Sequence, residues 1–90
     1  MAEDRISIDS RTLDNDVDLR QVAFEGEVSG TRYQFAVQYD VLEALSAQVP
    51  DADAIALFRQ HADAIATLGV VALARDPDQE LVVISENDLD

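Results

Sequence analysis

The only histidine of the chain, His61, stands two residues before Asp63 in the segment FRQHADAIATLG. An imidazole beside a carboxylate is the pair that general-base catalysis uses, and imidazole is also a common metal ligand. This spacing separates the two groups, because residues two apart on a helix do not face each other. The helical period instead places His61 within the apolar face that Phe58 and Ile65 centre. We therefore interpret His61 as a partly buried histidine at the edge of the core. A role as general base or metal ligand would need a partner from another element.

Two arginines, Arg59 and Arg32, complete the set of candidate residues, because a guanidinium can hold an anion. No motif accompanies them: the three glycines match a strand interruption, a turn and a helix cap, and no serine stands in a nucleophile elbow. The chain has no cysteine, which excludes disulfides and thiolate metal ligands. We predict no catalytic residue, no metal and no cofactor, and a protein that is not an enzyme.

Two acidic segments could bind divalent cations. Residues 14–18 read DNDVD and, with Glu25 at the twelfth position, match part of a calcium-binding EF-hand loop. The sixth position needs a glycine for its sharp turn, and Leu19 stands there. The second segment, residues 76–80, combines three acids with a proline in a turn. We interpret both as solvated acidic segments.

The length and the net charge of the chain limit further which classes of function are expected. The 90 residues fit one core, and 48% of them are hydrophobic, as in an ordinary folded domain. Nineteen acidic residues against six arginines give a formal net charge of −13, which repels phosphate backbones, so direct nucleic-acid binding is not expected. Such a field serves solubility, and it can also attract a basic protein or imitate a nucleic acid. No apolar run approaches the roughly 20 residues that cross a bilayer, and no signal sequence is visible, so we expect a cytoplasmic protein without a membrane partner.

Alternation and turn residues divide the first half of the chain into elements. Residues 1–19 are acidic and predict a largely extended arm, with a short edge strand at Ile6 and Ile8. Residues 21–28 and 31–39 alternate apolar and polar side chains around a glycine turn, which predicts an antiparallel hairpin.

The second half begins with two helices. A short helix starts at Asp40, and a second runs over residues 51–68 with Gly69 as its left-handed C-terminal cap. The β-branched runs 70–75 and 81–85 predict a second hairpin.

This order, ββααββ, predicts a single small α+β domain over residues 20–86. Its antiparallel sheet would have four strands, or five with the arm, and both helices would pack on one face. Residues 87–90 form an acidic tail.

Several segments resemble a family of small bacterial proteins catalogued only as a domain of unknown function. They are VAFEGEVSGTRYQFAVQYDVLEAL, ALFRQHADAIATLG and ISENDL, and the resemblance covers about Val22 to Leu89. It implies a compact α+β domain in the bacterial cytoplasm and no established activity. Family members often carry an arginine just after the position of His61, where this chain has Ala62, and a function that needs that charge is not expected here. Some relatives carry a regulator label, which this acidic chain gives no physical reason to adopt.

These observations favour a non-enzymatic module that binds another protein or associates with itself. A homodimer through an edge strand is one form of this hypothesis, because hairpins offer strands for pairing. The alternative is an acidic binder of a basic protein or a nucleic-acid mimic, driven by the net charge. A third hypothesis is an enzyme with His61 as its base.

Overall fold

A computed structural model of the protein describes residues 6–50, 52–75, 78 and 80–89. These residues confirm the α+β class and form a sheet of four strands with helices on one face. The strands are β1 (Ser7–Asp16), β2 (Gln21–Val28), β3 (Thr31–Gln38) and β4 (Leu81–Ile84). The helices are α1 (Tyr39–Ser46), α2 (Ala54–Gln60) and α3 (Ala62–Arg75), and a 3₁₀ turn (Glu86–Leu89) follows β4.

The sheet is mixed, with the strand order β1-β2-β3-β4. The first three strands are antiparallel neighbours, whereas β4 pairs parallel to β3, from Gln34 opposite Leu81 to Val37 opposite Ile84. The prediction of a purely antiparallel sheet is therefore wrong. The reason is that, in the described part of the chain, β4 alone follows the helices, and a crossover through the helical layer returns the chain in the direction of β3.

The hairpin of β2 and β3 is confirmed in register. Val22 pairs with Val37 and Phe24 with Phe35, so the apolar side chains share the face that the helices cover. Ser29 and Gly30, with φ angles of 53° and 83°, make the turn. Positive φ at both central residues matches the right-handed twist of the flanking strands.

The second hairpin is not formed, because residues 70–75 are the last turns of α3. The buried residues of α3 recur with helical spacing through this segment, which overrides the β-propensity of its two valines. They are Ile65, Ala66, Gly69, Ala72 and Leu73. Gly69 is thus a residue of the helix interior and not its cap. The turn predicted between the strands falls mainly on residues 76, 77 and 79, which lie outside the described residues.

The helix predicted over residues 51–68 is divided in two at His61. The backbone of His61, at φ −118° and ψ 21°, departs from helical geometry between α2 and α3. The start predicted at Asp51 lies outside the described residues.

Of the predicted arm, residues 1–5 lie outside the described residues, and residues 7–16 form β1. Ile6, just before β1, is buried between the sheet and α3, with an exposed fraction of 4%, and its N–H donates to the carbonyl of Ala66 at 3.2 Å. A Cβ atom added to Gly26 or Gly69 would lie only 2.1 or 2.0 Å from the Ile6 side chain. The two glycines therefore make the space that Ile6 fills.

Aromatic rings centre the core between the sheet and the helices. The Phe24 ring stacks on Phe35 with centroids 5.2 Å apart, and meets the edge of Phe58 from α2 at 5.0 Å. These contacts bury one face of the sheet against the helices, and none of the described helices covers the opposite face.

An ion pair between the half-exposed Arg75 and the buried Asp88 closes the C-terminal end of the fold. Asp88, assigned by the sequence to an acidic tail, has only 1% of its side chain exposed. Its carboxylate accepts from Nη1 of Arg75 at 2.6 Å and from the backbone N–H of Ser85 at 3.0 Å. The contact joins the end of α3 to the segment after β4.

Candidate functional site on the open face of the sheet

The face of the sheet that the helices do not cover is the candidate site, and we call it the open face. Cross-strand pairing defines its members, because directly opposed residues point to the same side. They are Ser7, Asp9, Asp14 and Asp16 of β1, Gln21, Ala23, Glu25 and Glu27 of β2, Arg32, Gln34, Ala36 and Gln38 of β3, and Leu81 and Val83 of β4.

The character of the open face changes across the strands. Its β1 side is acidic, its centre is the alanine pair Ala23 and Ala36, and its β4 side is apolar, with Leu81 40% exposed. Ala36 is fully buried, yet it does not belong to the core cluster beneath the helices. The small central side chains leave a floor between an acidic rim and an apolar one, and Ala23 is its solvent-facing part, since Ala36 is fully covered.

A shallow groove of about 210 Å³ crosses this floor. Thr12 and Asp14 stand at its acidic end, Leu81 at its apolar end, and Glu25 and Gln34 between them. A ligand in the groove would therefore meet both carboxylate oxygens and aliphatic carbon, the surroundings that a long cationic side chain prefers.

Four charged residues form a chain of ion pairs at the acidic rim. Asp9 accepts from Nε of Arg11 at 3.1 Å and from Nη2 of Arg32 at 2.7 Å. Arg32 also donates through Nε to Glu25 at 2.7 Å. These bonds join three neighbouring strands at one level of the sheet, so the rim is fixed by cross-strand contacts as well as by the backbone.

An irregularity in β1 shapes the acidic end of the groove. Asp9 pairs with Glu25 and Asp14 with Ala23, so five steps along β1 match two steps along β2. Thr12 bridges the gap in the backbone hydrogen bonds between β1 and β2. Its hydroxyl donates to the carbonyl of Asp9 at 2.7 Å and accepts from the N–H of Glu25 at 2.8 Å. The bulge moves Asp14 onto the open face next to Ala23.

The two guanidinium groups, first Arg11 and then Arg32, hold the pKa of the Asp9 carboxyl well below its usual range. Because this pKa is lower in the folded state than in the unfolded chain, near 3.9, ionised Asp9 stabilises the fold above about pH 4. That contribution is lost as the pH falls through the folded-state pKa. Arg11 is 88% exposed, so solvent screens the pair and its share of the stability is small.

Replacing Arg11 by glutamine is expected to raise the pKa of Asp9 toward its usual value, because it removes the guanidinium that lowers this pKa most. A pH titration of the side-chain carboxyl by ¹³C NMR measures the change. Arg59→Gln is the matched control, since Arg59 lies on α2 away from the rim. An Asp9 titration that is the same in wild type and Arg11→Gln would contradict the assignment.

Both edges of the sheet are poorly suited to pairing with another strand. β1 is bulged and carries charged side chains, two features that oppose strand addition. β4 has four residues, and the carbonyl of Val83 lies 3.4 Å from Nη2 of Arg75. The open face is therefore a better candidate for contact with a partner than either edge.

The three residues singled out from the sequence do not meet. Arg32 lies on the open face, whereas Arg59 and His61 belong to the helical layer on the other side of the sheet. His61 is half-buried, and its backbone N–H donates to the carbonyls of Leu57 and Phe58 at 3.2 and 3.1 Å. His61 thus connects α2 to α3 through its backbone.

The sequence interpretation missed Asp9 and Asp14 as surface-forming residues, because it assigned them to an extended arm. The alternation of Ile8 with Asp9 carried the available signal, but the bulge that follows breaks the two-residue period before Asp14. Arg32, by contrast, is among the predicted candidates because a guanidinium can hold an anion.

A second groove, of about 400 Å³, lies between α1 and the 3₁₀ turn. Its polar lining is acidic, with Asp40, Glu43 and Glu86. Within the described part of the chain, no group of three or more His, Asp or Glu side chains is placed to hold a metal ion. None of the described helices is long and apolar enough to span a membrane.

Comparison with known proteins identifies the family. The sequence matches the model of a protein of unknown function, DUF1488, over residues 8–84, and no curated protein matches it. The structure is similar to the crystal structure of a protein of unknown function from the DUF1488 family of Shewanella loihica PV-4. The TM-score is 0.71 at 20% sequence identity, with 93% of this chain and 96% of that chain covered. Because the family model spans most of the sequence, this chain belongs to the DUF1488 family, as its resemblance to small bacterial proteins of unknown function indicated.

Proposed function

We propose that the protein is a non-enzymatic interaction module that binds a basic partner protein through its open face. The observation that carries the proposal is the open face itself: helices pack one side of the sheet, and on the other side the described residues leave a groove between an acidic rim and an apolar one. Sheet faces left uncovered by their own chain are suited to contact with another protein, since they are rigid and partly apolar.

Charge complementarity selects the class of partner. The open face carries five carboxylates against two arginines at its rim, Arg11 and Arg32, and the whole chain has a formal net charge of −13. The carboxylates are Asp9, Asp14, Asp16, Glu25 and Glu27. An arginine or lysine of the partner would extend its carbon chain along Leu81 and Ala23 and place its cation near Asp14. Solvent-exposed charges of this kind raise the association rate and the selectivity for a partner more than they raise the affinity.

The test is capture of a partner by three forms of the protein at two salt concentrations. Wild type, Asp14→Arg and Glu43→Arg are immobilised and exposed to a bacterial lysate at low and at high salt. Both substitutions change the charge by the same amount at exposed positions, but Asp14 lines the groove of the open face and Glu43 lies on α1. A partner of the open face is expected to bind wild type and Glu43→Arg and to be lost with Asp14→Arg.

The captured protein is then purified and titrated into ¹⁵N-labelled wild type. We expect the amide shifts to concentrate at Ala23, Gln34 and Ala36, and the affinity to fall with salt, because exposed charges are screened over about 8 Å at physiological ionic strength. Capture lost with Glu43→Arg instead, or shifts confined to α1 and the 3₁₀ turn, would assign binding to the second groove and overturn the proposal.

A further inference from the structure

The acidic side chains that line the groove of the open face differ in what holds them. Among the described lining residues, Asp14 and Glu25 are the acidic ones. Glu25 accepts from Nε of Arg32 at 2.7 Å. Asp14 is exposed and takes part in no ion pair within the part of the chain that the structure describes. A cation that enters the groove therefore meets one open carboxylate and one that is already occupied.

Arg32 is held at Glu25 by a second carboxylate. Its Nη2 donates to Asp9 at 2.7 Å, and the side chain of Asp9 is only 15% exposed and also accepts from Arg11. Isolated ion pairs at a protein surface are weak, whereas charges joined in a network hold their geometry better. The planar guanidinium suits this role, because its donors have a fixed arrangement that can serve two carboxylates. Arg32 therefore keeps Glu25 occupied more firmly than a single exposed ion pair would.

We propose that Arg32 determines the specificity of the groove. It occupies Glu25 from within the chain, so that the groove accepts a single cationic side chain, at Asp14, and disfavours a run of basic residues. The partner segment is therefore one that carries an arginine or lysine between uncharged residues. This inference rests on the proposed function, since it concerns which basic segment the open face binds.

Without Arg32, the two lining carboxylates would have the spacing of a site for two cations. Asp14 pairs with Ala23, and Glu25 is two residues further along β2, so the two acids are diagonal neighbours about 7–8 Å apart. Alternate side chains of an extended peptide lie on one side, about 7 Å apart. Two basic residues at alternate positions would therefore match Asp14 and Glu25. With Arg32 in place, the second of them meets a like charge, which opposes binding.

The net charge of the chain explains what such a residue contributes. A protein with a formal net charge of −13 attracts polycations of any sequence through its overall field. Discrimination between basic partners then needs a local group that disfavours the wrong ones. Arg32 is a positive charge at the carboxylate that a second cation would use, and it leaves Asp14 open. It therefore lowers the attraction for polybasic segments more than for segments with one basic residue.

Titration of two blocked glycine pentapeptides into ¹⁵N-labelled protein tests this role of Arg32. One peptide has an arginine at its second position, and the other has arginines at its second and fourth positions. The Arg32→Gln variant is compared with Arg59→Gln, which removes the same charge at an exposed position on α2. We expect the peptide with two arginines to bind Arg32→Gln about threefold to tenfold more tightly than Arg59→Gln. The peptide with one arginine can occupy only one carboxylate at a time and should gain about twofold at most.

The amide shifts separate a failure of this inference from a failure of the proposed function. Shifts at Ala23 and Gln34, with equal affinity of the two variants for the peptide with two arginines, would overturn the role of Arg32 alone. A gain of the same size for both peptides would also overturn it, because Arg32 would then lower only the local potential. Shifts absent from Ala23 and Gln34, or confined to α1 and the 3₁₀ turn, would overturn the proposed function. Circular dichroism of each variant verifies that the fold is retained.

Discussion

Replacing Ile6 by alanine is expected to lower the free energy of unfolding by about 2–5 kcal/mol, the range found when large aliphatic side chains are removed from a core. Ile6 is almost fully buried against Gly26 and Gly69. These two glycines belong to β2 and α3, which other contacts hold in place. The space therefore cannot close without moving one of them. Urea unfolding followed by circular dichroism measures the loss. Ile8→Ala serves as the control, since Ile8 lies two residues further along the chain and is only half-buried.

Gly69→Ala separates the two roles that this glycine could have. In the interior of a helix, alanine is favoured over glycine by about 1 kcal/mol. Here the added methyl group would lie 2.0 Å from Cδ1 of Ile6, so the substitution is expected to destabilise by about 1–3 kcal/mol. In the Ile6→Ala background the clash is absent, and the same substitution should become neutral or stabilising. Additive effects in this double-mutant cycle would show that Ile6 does not occupy the space beside Gly69.

Asp88→Asn is expected to destabilise the fold by about 1–3 kcal/mol, because a buried carboxylate that accepts two hydrogen bonds becomes a neutral amide. The charge-assisted bond from Arg75 weakens, and the amide nitrogen cannot replace an oxygen as an acceptor for either partner. Thermal and urea unfolding both report the change.

The matched control is Asp78→Asn, which makes the same chemical change at an exposed position. It should alter stability by less than about 0.5 kcal/mol. If the two variants were equally stable, the contact between α3 and the segment after β4 would not contribute to folding.

The parts of the fold that the sequence predicts correctly depend on local patterns. The hairpin of β2 and β3 follows from strict alternation around Ser29 and Gly30, and each of those features involves neighbours in the chain. The segment 70–75 was misassigned because Val70 and Val71 favour strands locally, whereas packing of Ala72 and Leu73 against the core decides the outcome. Parallel pairing of β4 depends on residues far apart in sequence, and no local pattern encodes it.

The candidate site was less predictable than the fold. The polar side of β2 and β3 was visible as alternate residues, and Arg32 was among them. Its partner Asp9 lies beyond a bulge in β1, and only the paired strands bring that carboxylate to Arg32, where it also accepts from Arg11. His61 is the single histidine, yet the hydrogen bonds that the structure gives it are backbone bonds to two helices. A residue type that occurs only once is thus a weaker indication of function than a residue's position on a shared surface.

The parallel pairing of β3 with β4 also bears on how the chain reaches its native state. β1, β2 and β3 pair with immediate neighbours in sequence, so each can form after a short loop closes. Gln34 and Leu81 pair across the whole helical region, and the entropy of closing so long a segment must be offset before any contact of β4 is gained. The strand that completes the sheet is therefore the one whose placement is slowest. Until β4 is in place, the edge of β3 is unpaired, and the incomplete sheet is most prone to misassembly in that interval.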